Sequence, residues 1–130
     1  MSSDALRVLC VLAGGAAGAL TRAAIGHALS RDPGAWPWAT LTANIAGTLL
    51  LAYVTTRLTE DDAHSSYWRL LVGTGFCGAL TTFSTLQVET IDFIRAGEPG
   101  LAAAYAVTSL STGMAAVVLA TVGARRRRYG

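Results

Sequence analysis

Four apolar runs, each long enough to cross a bilayer, take up most of a chain of 130 residues. A membrane helix needs about 20 consecutive, mostly apolar residues. The runs cover about 5–29, broken by Arg7 and Arg22; 36–58, with Asn44 as its one strongly polar side chain; 67–94; and 101–124. Hydrocarbon offers backbone groups no water, so only helices and closed barrels span it, and the runs lack the alternation of barrel strands. The expected fold is an all-α membrane protein, one transmembrane domain of four helices. Only 14% of the residues are charged, against roughly 25% in soluble domains. Small residues at Ala13–Ala19 raise the rival of a cleaved signal peptide. Asp4 spoils its basic start, and the apolar run continues well past those residues.

The segments between the runs are turn-like. Arg31-Asp32-Pro33-Gly34, Glu60-Asp61-Asp62 with His64, and Gly97-Glu98-Pro99-Gly100 are short and polar, and Trp36 and Trp38 read as interfacial aromatics. None is long enough to hold a second domain. Cys10 and Cys77 sit in apolar runs without neighbouring Cys or His, which excludes a disulfide framework and a cysteine metal site. No nucleophile–base pair supports an enzyme.

All ten basic residues are arginine. With four spans both termini share a side, which carries Arg7, Arg57, Arg69 and Arg125–Arg128, seven in all, against Arg31 and Arg95 opposite. Positive residues stay inside, so a multi-pass protein of the cell membrane with both termini cytoplasmic is expected. The Arg125–Arg128 run reads as a topology anchor or as a headgroup site. Its place in a tail argues against nucleic-acid binding.

Polar and small residues within the runs carry the remaining information. Gly14, Gly18, Arg22 and Gly26 repeat at i+4, a stripe along which helices approach closely. Arg22 either snorkels to headgroups or stands at a water-filled vestibule. Thr40, Asn44 and Thr48 share a face, and the Asn44 amide serves either a helix–helix bond or a dehydrated anion. The third run holds Gly73, Gly75 and Gly78, then Thr81, Thr82, Ser84 and Thr85. That composition weakens a helix at Gly78–Thr82, and a break in mid-membrane frees carbonyls that suit a hard cation such as Na⁺. Glu89 reads as a partly solvated carboxylate at a helix end. Tyr105, Ser109 and Gly113 repeat at i+4 with Thr108 and Thr112 beside them, an ion track or packing polarity. Runs one, two and four lack an acidic residue within the membrane, which favours an anion over a cation as the permeant species.

Gly75-Phe-Cys-Gly-Ala-Leu-Thr-Thr-Phe-Ser-Thr-Leu-Gln-Val-Glu89 resembles the signature of the Fluc/CrcB fluoride channels. Gly14-Gly-Ala-Ala-Gly-Ala-Leu-Thr-Arg22 is similar to that family's first helix, and Trp38–Thr48 to its second. The resemblance implies a passive fluoride channel that relieves cytoplasmic toxicity, with pores formed in an antiparallel dimer. It implies an ion path through Arg22, Asn44, Phe83, Ser84, Thr85, Tyr105 and Ser109. It also implies a structural Na⁺, not transported, held by backbone carbonyls of Gly78 and Thr81. Leu86 departs from the pattern, since a second phenylalanine is usual there, and Ala79 replaces a common glycine. The missing ring and the seven-to-two arginine bias both favour an oppositely oriented paralogue over a second copy as partner. A small drug/proton antiporter and a non-conducting assembly subunit are the alternatives.

Overall fold

The computed structural model describes residues 2–30, 32, 34–58 and 63–129, and their regular structure is helical throughout. The expected turn residues Arg31 and Pro33, and the acidic loop residues Glu60–Asp62, lie outside the described residues. In chain order come α1 (Ser3–Ala28), α2 (Trp38–Arg57), α3 (Ala63–Trp68), a π-helical stretch (Arg69–Cys77), α4 (Gly78–Leu80), α5 (Phe83–Arg95) and α6 (Pro99–Tyr129). Of these, α1, α2 and α6 are each long and apolar enough to cross a membrane. Their ends fall within a few residues of the expected runs, apart from α6, which continues through the arginines.

The third run, 67–94, is built in two pieces. The helical rod 63–80 leads to two extended residues, Thr81 (φ −80°, ψ 151°) and Thr82 (φ −148°, ψ 120°), and then α5 begins. Glycine is not what ends the rod. Gly78 is itself helical (φ −61°, ψ −35°). The threonines do the work through their hydroxyls. The N–H and Oγ1 of Thr81 both donate to the Cys77 carbonyl, at 3.0 and 2.9 Å. The Thr82 hydroxyl accepts the Thr85 N–H at 3.2 Å, a side-chain cap that starts α5. At its other end α5 closes with Gly97 at φ +81°, where the Gly97 N–H reaches Ile94 O and the Glu98 N–H reaches Phe93 O. This is the Schellman arrangement, and a side chain at that φ would be strained.

The glycines instead permit close approach. A Cβ on Gly14 would collide with the Leu71 carbonyl, and one on Gly18 with the Phe76 carbonyl. From the opposite side, a Cβ on Gly75 would lie 2.7 Å from Val11 O. So α1 and the π-helical stretch meet backbone to backbone, the mode open to membrane helices that have no hydrophobic drive between them. Farther along the expected stripe Gly26 faces open space and Arg22 is exposed.

The other half of the molecule packs α2 and α5 against α6 around Leu41, Phe93, Ala102 and the fully buried Tyr105, with Trp36, Ile45 and Leu86 at its edge. Leu86 therefore leans on the inner cluster. Outward, α1 presents Leu9, Leu12 and Leu20, and α6 presents Val107, Leu110, Met114 and Leu119, all exposed. Apolar surface on that scale marks a face meant for lipid or another protein.

Candidate functional site

Asn44 holds the extended corner between the rod and α5. Its Nδ2 donates to the Thr82 carbonyl at 3.1 Å, and its Oδ1 accepts the Thr82 N–H at 2.7 Å. The amide thus pairs with both backbone groups of one residue, as a neighbouring strand would. In an unbroken helix the Thr82 N–H would bond to the carbonyl of Gly78, four residues back. Diverting it to Asn44 leaves the Gly78 carbonyl without that amide, an oxygen of the kind a hard cation takes as ligand. Gly78 is exposed, and together with Thr81 it lines one end of an open groove of about 590 Å³. Leu51, Thr55, Arg69 and Thr74 are among its other lining residues. The donor chemistry of Gly78 and Thr81 therefore fits Na⁺, with two carbonyls from this chain.

Thr81 reaches that place because residue 47 is glycine. A Cβ on Gly47 would run into the Thr81 Cγ2 methyl. Gly47→Ala is expected to lower thermal stability in detergent by about 1–3 kcal/mol, the usual cost of overpacking. Thr81→Ser, which lacks that methyl, should restore most of the loss in the double variant. Melting curves of the three proteins check it, and additive losses would show that the two side chains do not meet.

The second polar constellation is a carboxylate between two hydroxyls. Thr40 Oγ1 donates to Glu89 Oε1 at 2.9 Å, and Tyr105 OH donates to Glu89 Oε2 at 2.7 Å. The three residues come from α2, α5 and α6. Glu89 is thus half-buried, in keeping with a partly solvated carboxylate, but it lies within α5 rather than at a helix end, and Thr40 and Tyr105 donate to both its oxygens. The shared face of Thr40 and Asn44 was a signal for this, but nothing in either residue pointed to Glu89.

Of the other expected residues, Ser84 and Thr85 join Thr82: Thr82 Oγ1 lies 2.9 Å from Thr85 Oγ1 and 3.3 Å from Ser84 Oγ. Ser109 Oγ is buried one turn from Tyr105, with no hydrogen-bond partner. Phe83 points outward, 69% exposed, so its ring is free to meet another surface. Arg22 stays apart, on a helix that packs chiefly on the rod and α2. The arrangement offers amide and hydroxyl donors, an outward aromatic ring and released carbonyls. It is suited to receiving ions and offers no route to covalent chemistry.

The family model described as "CrcB-like protein, Camphor Resistance (CrcB)" matches residues 9–121. The chain is 55% identical, over 125 residues, to the "Fluoride-specific ion channel FluC 1" of Mycobacterium bovis, an alignment covering 96% of this chain and 95% of that one. It is 41% identical over 106 residues to the "Fluoride-specific ion channel FluC" of Bordetella avium, covering 82% of each. A "Fluoride-specific ion channel FluC 1" of Desulfitobacterium hafniense is 42% identical over 97 residues, 75% of this chain and 84% of that one.

Proposed function

The chain belongs to the CrcB-like protein family, and from that premise we propose that it is a subunit of a fluoride-selective channel. It exports fluoride passively through a multi-pass membrane domain, and it is not an enzyme. What carries the reading is the match, along nearly the whole chain, to relatives named fluoride-specific ion channels. The site chemistry agrees with it. Fluoride surrenders water only to donors that are close and fixed, and Thr40, Tyr105, Asn44 and Ser109 supply hydroxyl and amide donors on packed helices. The Thr40 and Tyr105 O–H groups that rest on Glu89 can turn to a passing anion. Phe83 brings an electropositive ring edge to the surface where a second subunit would sit. Ser84 and Thr85 keep the corner in place beneath it, and Arg22 raises anion concentration at a vestibule.

The pores form in an antiparallel dimer within the cell membrane, this subunit with both termini in the cytoplasm and its partner inverted. Gly78 and Thr81 offer two carbonyls, too few for a hard cation, which takes about six oxygens. The same corner of a facing subunit doubles the number to four, the protein's share of a structural Na⁺ site. The facing subunit is an oppositely biased paralogue, because seven arginines against two orient this chain one way. Leu86 fits that assignment: it packs inward against the Tyr105 cluster and leaves one aromatic position for the partner to fill.

The test is fluoride efflux from liposomes, read by electrode with chloride as control. Fast, fluoride-selective efflux is expected when the chain is reconstituted with an oppositely biased paralogue, and silence when it is alone. Efflux from the chain alone would overturn the heteromeric assignment and leave the channel standing. Silence from both preparations, with folded protein inserted, would overturn the channel. Efflux that survives Asn44→Leu and Phe83→Ala in this subunit would mark it as a non-conducting assembly partner. Efflux lost only with Glu89→Gln would favour the antiporter.

A further inference from the structure

Among the described residues, two buried side-chain polar atoms have no hydrogen-bond partner: Ser109 Oγ and Trp36 Nε1. Ser109 is one helical turn along α6 from Tyr105. Trp36 stands edge-on to Tyr105, ring centroids 5.5 Å apart at 82°. Ser109 lies on the path that the family resemblance implies, and Trp36 does not.

A buried donor left without an acceptor loses its hydration and gains nothing in return. The cost is not relieved by a small rearrangement, because the indole is held from several sides. The Trp36 carbonyl accepts the Trp38 N–H at 2.9 Å, the following Pro37 is fully buried, and the ring packs on the cluster of Leu41, Phe93 and Tyr105. An indole N–H only donates, so whatever it meets must be an acceptor. The Thr40 and Tyr105 hydroxyls donate to Glu89, and neither accepts the indole N–H. Trp36, Thr40 and Asn44 recur every four residues up to and along α2, while Tyr105 and Ser109 recur at the same interval on α6. An anion passing the Thr40–Tyr105 level toward the start of α2 meets the indole N–H next.

We propose that Trp36 is the outermost hydrogen-bond donor of the anion path, its indole N–H binding fluoride at the end of the pore where α2 begins. The proposal rests on the fluoride reading above. It assigns the indole a binding role where the sequence suggested only an interfacial anchor.

Replacing Trp36 with 3-benzothienylalanine keeps the bicyclic shape and deletes only the N–H. In the reconstituted channel this change should slow fluoride efflux at least about tenfold, the factor one hydrogen bond to a charged partner is worth. The size of the purified complex should not change. A second measurement uses the native residue. With Trp38→Phe and Trp68→Phe leaving Trp36 as the only tryptophan, fluoride but not chloride should shift its emission, with saturation. Efflux within twofold of the unmodified channel, or emission that ignores fluoride, would sink the assignment while normal efflux of the unmodified channel keeps the channel reading intact. An unmodified channel that passes no fluoride overturns both.

Discussion

Asn44→Leu is expected to cut fluoride efflux by at least about 100-fold. The amide satisfies both the N–H and the carbonyl of Thr82, at 2.7 and 3.1 Å, in a residue that is itself buried. Leucine fills much of the same volume and pairs with neither group. Each buried backbone group left without a partner costs about 1–3 kcal/mol, so the corner loses about 2–6 kcal/mol. That exceeds what a two-residue interruption can withstand when a continuous helix is the alternative. The Thr82 N–H would return to the Gly78 carbonyl, closing off that freed oxygen and moving Phe83 with the start of α5. Asn44→Asp refines the test. A carboxylate still accepts the Thr82 N–H, but it faces the Thr82 carbonyl with a second oxygen instead of a donor. It should also lose efflux, showing that the two-way pairing matters rather than polarity at residue 44. Hydrogen exchange at the Thr82 amide, followed alongside efflux, should quicken in both variants. Efflux of Asn44→Leu within tenfold of the unmodified channel would remove the corner from the conduction machinery.

Gly14→Ala is expected to abolish folding of the subunit. One methyl group on Gly14 would overlap the Leu71 backbone carbonyl, and a backbone atom has no rotamer by which to retreat. Either α1 separates from the π-helical stretch or the stretch rewinds. Both undo contacts that Gly18 and Gly75 make along the same seam. The usual overpacking cost of about 1–3 kcal/mol is thus a lower bound. The readout is the yield of monodisperse protein in detergent, which should fall to background. Gly26→Ala is the control, since nothing lies within 4 Å of that position, and it should purify and conduct normally. If both variants purify alike, the backbone-to-backbone seam is not what holds α1.

These two sites mark the limits of what the sequence shows. The Gly14–Gly18 stripe was legible because i+4 spacing of small residues has one use in a membrane helix. Its extent was not, and Arg22 and Gly26 run past the partner. Asn44 stood out as the lone polar side chain of an apolar run, yet its partner, 38 residues away, did not. The third run reads as weak at Gly78–Thr82, and the extended corner falls within that span, at Thr81 and Thr82. In the structure Gly73 and Gly75 lie within the helical rod, and two threonines with hydroxyl and amide bonds make the corner. Glu89 reads as a partly solvated carboxylate at a helix end; it lies within α5, and its two partners, 49 and 16 residues away on other helices, left no local signal.

The sequence alone determined the class of the protein: the lengths of its apolar runs, the arginine asymmetry between loops, and the signature that links it to its family. Those properties are sums over neighbouring residues, so a window along the chain reads them. The tertiary structure decided which donor meets which acceptor. Asn44 paired with Thr82, Thr40 and Tyr105 closed over Glu89, and Trp36 Nε1 was left buried without a partner. Hydrogen bonds have a reach of about 3 Å and a direction. Helix rotation and separation settle them, and at α1 the absence of a Cβ sets that separation.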